Sequence, residues 1–578
     1  MEKSASSPAP RRRRRWLLLV LVGLAVAVWF FVFRGPRIEP GTILVLDLEE
    51  GLAETGPEGL EQFFSAGGPG VLDLARALDH AAGDQRVVGL LLRIGAGLSP
   101  AMAEELRGLV AAFRKSGKVV LAHADSPDTI GYFLAASAGE VLLDRAGTLD
   151  ATGISLGAFF LGDALAAIGV RADLVRVGDY KGTFEMLAAS SPSPQLDESM
   201  KGIADSVHES IVAAVSEDRR LDPGAVRNLL DRCPMTAQEA VRAGLVDGIA
   251  SADDVRTRLR ELTSVDVHPL PIEEYLPACP AGSPSGKWIA VVYVLGLIAD
   301  GESREMSFAG KVAGADDVMR ALRESAEDPD VVGILLRIDS GGGSASASEK
   351  IFAAVESARK RKPLVASLAG TAASGGYYAA AAADKIVAQR TSITGSIGVF
   401  GGKLVVEQLL GTLKVGRKSW DRGKRAGMYD ATRPFTPDER MAVKDIMEDV
   451  YRRFVDRVAA SRRKSFEDAN AVAQGRVWTG RAAIDAGLVD SVGGIPEAVA
   501  ALRSLARVPE GTAIGLRRHP EPRGILDLLG SGRKRDPLLR TLMASRPAGP
   551  VELRELIESR LFSGRSGYAL LPIRIQLR

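Results

Sequence analysis

Residues 72–95 read "LDLARALDHAAGDQRVVGLLLRIG", and residues 316–339, 244 positions further along, read "DDVMRALRESAEDPDVVGILLRID". The core of the match is "VVGLLLRI" returning as "VVGILLRI". It continues downstream. "TIGYFLAASAGEVLL" answers "SGGYYAAAAADKIVA", "TGISLGAF" (152–159) answers "TGSIGVF" (394–400), and "TAQEAVRAGLVDGI" (236–249) answers "TGRAAIDAGLVDSV" (479–492). A self-match this long means an internal duplication. Each copy offers strand candidates in the same order: "ILVLDL" and "IAVVYV", then "VVGLLLRI" and "VVGILLRI", then "KVVLAHA" and "PLVASLA". Each run is followed by a helical pattern. Short apolar strands alternating with amphipathic helices predict βαβ units and a mainly parallel, buried sheet. The expected fold class is α/β, in two tandem domains.

The chain has 578 residues, too many for one core, with 46% hydrophobic and 25% charged residues. Its net charge of +2 gives no overall field for nucleic acid. Positive charge gathers at the ends, in Arg11–Arg15 and in the tail stretches "SGRKRDPLLR" and "LPIRIQLR". Trp16–Phe33, "WLLLVLVGLAVAVWFFVF", is an uncharged apolar run. At about 1.5 Å per residue it is close to the shortest helix that crosses a bilayer core of about 30 Å. The arginines before it should stay cytoplasmic, which exports the rest of the chain. No small-x-small cleavage site follows in "RGPRIEP", so a retained anchor is expected rather than a removed signal peptide. The expected organisation is a basic N-terminus (1–15), a transmembrane helix (16–33), a first domain (40–250), a Pro-rich linker (251–287), a second domain (288–505) and a C-terminal extension (506–578). Cys233 and Cys279 read equally as a disulfide or as two thiols. Metal-ligand spacing is absent, and no metal or cofactor is expected.

Two stretches of the second copy carry chemistry. In "RIDSGGGSASASEKI", Gly341, Gly342 and Gly343 follow a strand and precede a helical pattern, where backbone N–H groups can face a carbonyl oxygen. In "LAGTAASGGYYAAAAADKIVAQ" (368–389), a strand runs into Ser374, Gly375 and Gly376 and then into a helix. A serine there sits beside free N–H groups and the positive end of the helix dipole. Parallel strands would bring both stretches to one sheet edge. Read singly, the first is a strand–helix turn and the second an N-cap. Together they suggest an oxyanion site beside a nucleophile.

Such a serine needs a base. None of the five histidines, His80, His123, His208, His268 and His519, lies in the second copy, although His123 could reach across from the first. Lysine remains. At pKa about 10.4, roughly one free lysine in 2,500 is neutral near pH 7, so a lysine base must be buried. Lys181, in "LVRVGDYKGTFEMLA", follows an apolar strand. Lys424, in "SWDRGKRAGMYD", holds the equivalent place in the second copy but stands among charges.

With these residues assembled, the chain resembles signal peptide peptidase A, in its long tandem-domain form. That group uses serine–lysine chemistry on a ClpP/crotonase-like fold. The resemblance covers residues 40–505 and rests on "DSGGGSASASE", "AASGGYYAAAAADKIVA", "TGSIGV" and "VGDYKGTFE". It implies Ser374 as nucleophile, Lys181 of the first copy as base, and Ser396 as the residue that holds the lysine. It implies Gly341, Gly342, Gly343 and Gly375 as oxyanion donors. It also implies a membrane-anchored endopeptidase acting on signal-peptide remnants and other apolar peptides, on the periplasmic side of a bacterial inner membrane, assembled as a homo-oligomeric ring or bowl, tetrameric in form. The sequence departs from the family turn, which usually has proline where Gly341 stands. Lys424 lies 50 residues after Ser374, a spacing similar to that of single-domain members, and is the alternative base. In the first copy Thr129 aligns with Ser374, so that copy keeps a lysine without a nucleophile. Two rival readings are an acyl-CoA hydratase or isomerase on the same fold, and a catalytically silent membrane scaffold.

Overall fold

A computed structural model describes residues 38–49, 51–56, 68–279, 285–306, 310–520 and 568–570. The expected membrane segment, Trp16–Phe33, lies outside them. Among the described residues no helix is long and apolar enough to cross a membrane.

The duplication is visible in the sheets. In the first copy six parallel strands lie in the order Gly248–Ile249, Glu140–Leu143, Val119–Ala124, Val87–Ile94, Thr42–Leu48, His268–Pro271. In the second the order Ser491–Val492, Lys385–Ala388, Leu364–Ala373, Val331–Ser344, Trp288–Ala299, Gly515–Arg518 repeats it strand for strand. Both sheets are covered on two faces, which is why their strands read as continuous Val/Leu/Ile runs. Along Val87–Ile94, Leu90 and Leu92 enter the large core of the first copy, while Leu91 faces a smaller core with Val255 and Leu259 of helix Ala252–Thr263. Each copy then carries a long helix, Pro194–Arg219 or Pro437–Arg462. Each starts at a Ser or Thr cap followed by proline and ends on a left-handed arginine.

Part of the stretch expected as a linker is structured. Residues 252–263 form the helix that covers the first sheet, and His268–Pro271 is its edge strand, parallel to Thr42–Leu48. Proline cannot donate to a ladder, and an edge is where a strand tolerates it. Likewise Gly515–Arg518, inside the expected extension, is the matching edge strand of the second sheet. Cys233 and Cys279 are both free thiols.

One strand leaves its own copy. Arg171–Val177 pairs antiparallel with Val399–Val405 of the second copy, from Val177 opposite Val399 to Arg171 opposite Val405. This exchange joins the two copies and carries the chain that follows, including Lys181, into the second copy. A buried charge cluster closes the same junction. Arg337, on the second-copy strand, donates to Glu54 at 2.7 and 3.1 Å and to Glu105 at 3.0 Å, both from the first copy.

Candidate active site

Ser374 stands between strand Leu364–Ala373 and helix Gly375–Ala381 with φ 55° and ψ −116°. That backbone is costly for a residue with a side chain, on the order of 1–3 kcal/mol, and persists only where its surroundings enforce it. The ladder does so. Ser374 N–H donates to the Gly395 carbonyl at 2.8 Å, and the Ser374 carbonyl accepts from Tyr378 N–H at 2.8 Å. The small residues around the serine have a packing reason. A Cβ on Gly375 would come within 3.2 Å of Gly342 Cα and Gly343 N, and one on Gly376 would strike the Ser340 carbonyl. Only glycine lets this turn lie against the glycine-rich strand.

The first copy shows what happens without that arrangement. Thr129 opens a helix capped by Asp128, whose backbone is extended, and its hydroxyl exchanges hydrogen bonds with both the N–H and the carbonyl of Gly153. No strained turn presents it.

Lys181 crosses the junction. Its Nζ donates to Ser374 Oγ at 2.8 Å, to Ser396 Oγ at 3.0 Å and to the Ser396 carbonyl at 3.0 Å. Lys181 is 1% exposed, Ser374 0% and Ser396 1%. Burial alone pulls the amine down to about 7, and no carboxylate counteracts it. The lysine is held by its backbone, with Tyr180 N–H donating to the Gln474 carbonyl at 2.8 Å. Its stem runs past two glycines that the sequence reading did not single out. A Cβ on Gly475 would sit 2.6 Å from Lys181 Cα, and one on Gly398 would sit 3.2 Å from its Cδ. Gly398 lies inside the repeated "TGSIGVF" (394–400), which is the signal that could have found it, whereas Gly475 belongs to none of these repeats or motifs. Ser396 itself has φ 51° and donates its N–H to the Arg476 carbonyl at 2.7 Å. Glu104, from the first copy, braces the chain ahead of it by accepting from Thr391 N–H at 3.0 Å and Thr391 Oγ1 at 2.9 Å.

The remaining candidates divide. The glycines expected as a turn instead continue strand Val331–Ser344, and Gly342 takes φ 103° there. Gly342 N–H donates to Ser340 Oγ at 3.1 Å, while Gly341 and Gly343 flank it on the same strand. Lys424 is on the surface, its side chain 79% exposed and paired with Asp438 at 3.1 Å. His123 sits in the first sheet, with Nε2 at 3.0 Å from the Ala250 carbonyl. With Asp125 and Asp144 it forms the one group among the described residues whose ligand atoms lie close enough for a metal, within 4.8 Å of one another.

A buried, neutralised amine against a serine hydroxyl at a strained strand–helix turn is an arrangement for nucleophilic catalysis. The sequence model of peptidase family S49 matches twice, over residues 112–266 and 356–509. A CoA-ligase model matches residues 280–396, a stretch that stops at Ser396 and includes neither Lys181 nor strand Val399–Val405. Protease 4 of Salmonella typhi is 30% identical over 456 residues, 76% of this chain and 72% of its own. Protease 4 of Haemophilus influenzae is 31% identical over 468 residues, 76% and 74%. The chloroplastic serine protease SPPA of Arabidopsis thaliana is 28% identical over 493 residues, 83% and 71%. Two matches fall on two copies of one sheet, and the relatives run through both. The chain therefore belongs to peptidase family S49, as a serine peptidase of the long, tandem signal peptide peptidase A form.

Proposed function

We propose that this protein is a membrane-anchored endopeptidase in which Ser374 is the nucleophile and Lys181 its base, on a pair of ClpP/crotonase-like domains. The observation that carries the reading is the 2.8 Å contact between Lys181 Nζ and Ser374 Oγ in a site closed to water. When the amine is neutral, its two N–H groups stay on the Ser396 hydroxyl and carbonyl oxygens. Its lone pair then faces the Ser374 hydroxyl, which donates to it. Oγ attacks the peptide carbonyl carbon as its proton passes to Nζ. Backbone N–H groups of Gly375 and of the Gly341–Gly343 stretch receive the oxyanion, a donor of this kind being worth about 3 kcal/mol. The ammonium returns the proton to the leaving amine, and water, activated by the same lysine, hydrolyses the acyl-serine. Substrates are extended apolar peptides such as signal-peptide remnants.

An acyl-CoA hydratase or isomerase would place a carboxylic acid at the reacting centre. The absence of any carboxylate among the groups acting on Lys181 favours the peptidase. A fluorophosphonate probe tests the reading against a silent scaffold. The expected result is one adduct per chain by intact mass, on Ser374, and none on Ser374→Ala. An unlabelled wild-type chain that also hydrolyses no peptide ester overturns it.

The residues 16–33 anchor and a ring or bowl of several chains complete the proposal. The ring is supported by a pairing that the chain makes once. Arg171–Val177 of the first copy meets Val399–Val405 of the second. The counterparts of these strands, residues 414–420 and the stretch around Phe159, form no strand. They leave Phe159 88%, Trp420 77% and Val415 52% exposed. A second chain offers each the partner it lacks. The protein is expected to leave membranes with detergent and not with high salt. In sedimentation it should then run as an oligomer, which Trp420→Asp reduces to single chains. A monomeric wild type would refute the ring.

A further inference from the structure

The first copy has no nucleophile, but the end of its sheet carries a polar cluster that the second copy lacks. His123 lies on strand Val119–Ala124, Asp125 follows that strand, and Asp144 follows the neighbouring strand Glu140–Leu143. Side chains two apart along a strand share a face. Leu121 and Leu142 belong to the small core with Val255 and Leu259 of helix Ala252–Thr263, so His123 and Asp144 continue that face to the edge. The two strands are parallel, with His123 opposite Leu142 and Ala124 opposite Leu143, so Asp125 and Asp144 come side by side one residue past the ladder. One ligand atom from each of His123, Asp125 and Asp144 lies within 4.8 Å of the others. Counted from the match of Thr129 to Ser374, the second copy has Leu368, Gly370 and Gln389 at these places.

Two features of the cluster call for a cation. Like charges side by side on neighbouring strands repel. Yet among the described residues neither Asp125 nor Asp144 makes an ion pair, and Arg145, next along the chain, pairs with Asp254 at 2.7 Å. Asp144 Oδ1 accepts from Ala146 N–H at 3.0 Å, and the Asp125 carboxylate accepts no hydrogen bond among the described residues. The second feature is the imidazole. His123 is 8% exposed, and its Nε2 stands 3.0 Å from the Ala250 carbonyl. A carbonyl only accepts, so Nε2 carries the proton and Nδ1 keeps the lone pair. Metal-ligating imidazoles are oriented in this way, by an acceptor on the other ring nitrogen. Nδ1 itself has no hydrogen-bond partner among the described residues. We propose that His123, Asp125 and Asp144 bind one divalent transition-metal ion, Zn2+ in preference to Mg2+ or Ca2+. The two carboxylates balance its charge, and the imidazole selects it over the harder cations. Zn2+ holds N and O ligands at about 2.0–2.2 Å, which sets its ligand atoms roughly 3–4 Å apart. Asp125, exposed and unbonded, turns the remaining distance. The ion ties the ends of two strands together and fixes the loop that leads to Thr129.

The test uses the full chain in detergent, stripped with a chelator and dialysed against low-micromolar Zn2+. One Zn2+ per chain should be retained, with Tm higher by several degrees. Co2+ in its place should give a visible absorption band. His123→Gln and Asp144→Asn should each weaken binding at least about tenfold and lose the Co2+ band. Asp125→Asn should do the same, and because Asp125 is exposed and lies past the strand, its effect is separate from misfolding. His268→Gln, near Glu39 at 3.9 Å on the surface, should leave binding unchanged. Failure of the wild type to retain an ion overturns the proposal. So does an ion retained with equal affinity by all three ligand variants, since it would then lie elsewhere.

Discussion

Lys181→Ala and Ser374→Ala will each lower peptide-ester hydrolysis by about 10³-fold or more, and Lys424→Ala will leave it within about twofold of wild type. The first two remove the ends of one proton path and are not additive. The double variant should be no worse than either single one. Lys424 is solvated and paired with Asp438. Lys181→Arg should fail as completely as Lys181→Ala, because a guanidinium is never neutral at working pH. Activity should rise with pH through about 7, where the buried amine loses its proton, and then level off. Stability carries the same sign. The amine titrates near 10.5 when solvated and about 7 when buried. Below pH 7 both states are protonated and the fold bears the whole cost of the buried charge, on the order of 5 kcal/mol. Between pH 7 and 10.5 the unfolded chain binds the extra proton, so that cost fades as pH rises. Lys181→Met should flatten this rise in urea melts taken across the window. Activity surviving in Lys181→Ala and lost in Lys424→Ala would mean that each site is built within one copy and that the junction does not matter to chemistry.

How far the sequence reveals this depends on what each residue does. The duplicated "VVGLLLRI" pattern exposes both sheets, because a strand buried on two faces must be apolar throughout. Ser374 is legible only together with Gly341–Gly343, because a serine before glycines at a helix start is by itself an N-cap and the second stretch at the same sheet edge is what suggests a nucleophile. Lys181 is legible only by exclusion, with no histidine in the second copy and Lys424 set among charges. The exchange of Arg171–Val177 is not legible, since pairing between distant strands is written in the third dimension and not in either strand's own pattern. Gly475 is invisible for the same reason, and Gly398, although it stands in the repeated "TGSIGVF", gives no sign there that a lysine stem passes it. The prolines at 269 and 271 suggest a linker because proline usually ends structure, and only the edge position in the sheet makes them compatible with a strand. The tail carries turn and charge signals on both sides of "GYALL", which conceal the short strand Tyr568–Leu570 that pairs with Val331–Ser344 and Val399–Val405.

Arg337→Met should open the junction itself. The first copy carries the same arginine as Arg93, 45% exposed and paired with Asp47 and Glu49 on the surface. In the second copy the equivalent side chain is 1% exposed, covered by the first copy and fixed by Glu54, Glu105 and Ser367. Glu105 also accepts from Ile495 N–H at 2.7 Å, so it ties helix Pro100–Arg114 to the second copy as well. Removing the arginine strands two buried carboxylates, which costs about 3–5 kcal/mol, whereas replacing the whole cluster with neutral groups costs far less. The expected result is a first urea transition at clearly lower concentration, with hydrolysis lost in step as Lys181 withdraws from Ser374. Combining Arg337→Met with Glu54→Gln and Glu105→Gln should recover much of both. The recovery is the decisive part, because simple damage to a core strand would worsen with each added substitution, while relief of stranded charge improves. If Arg337→Met melts as wild type and stays active, the Arg171–Val177 to Val399–Val405 pairing holds the copies together unaided, and the buried cluster is not what keeps the lysine beside the serine.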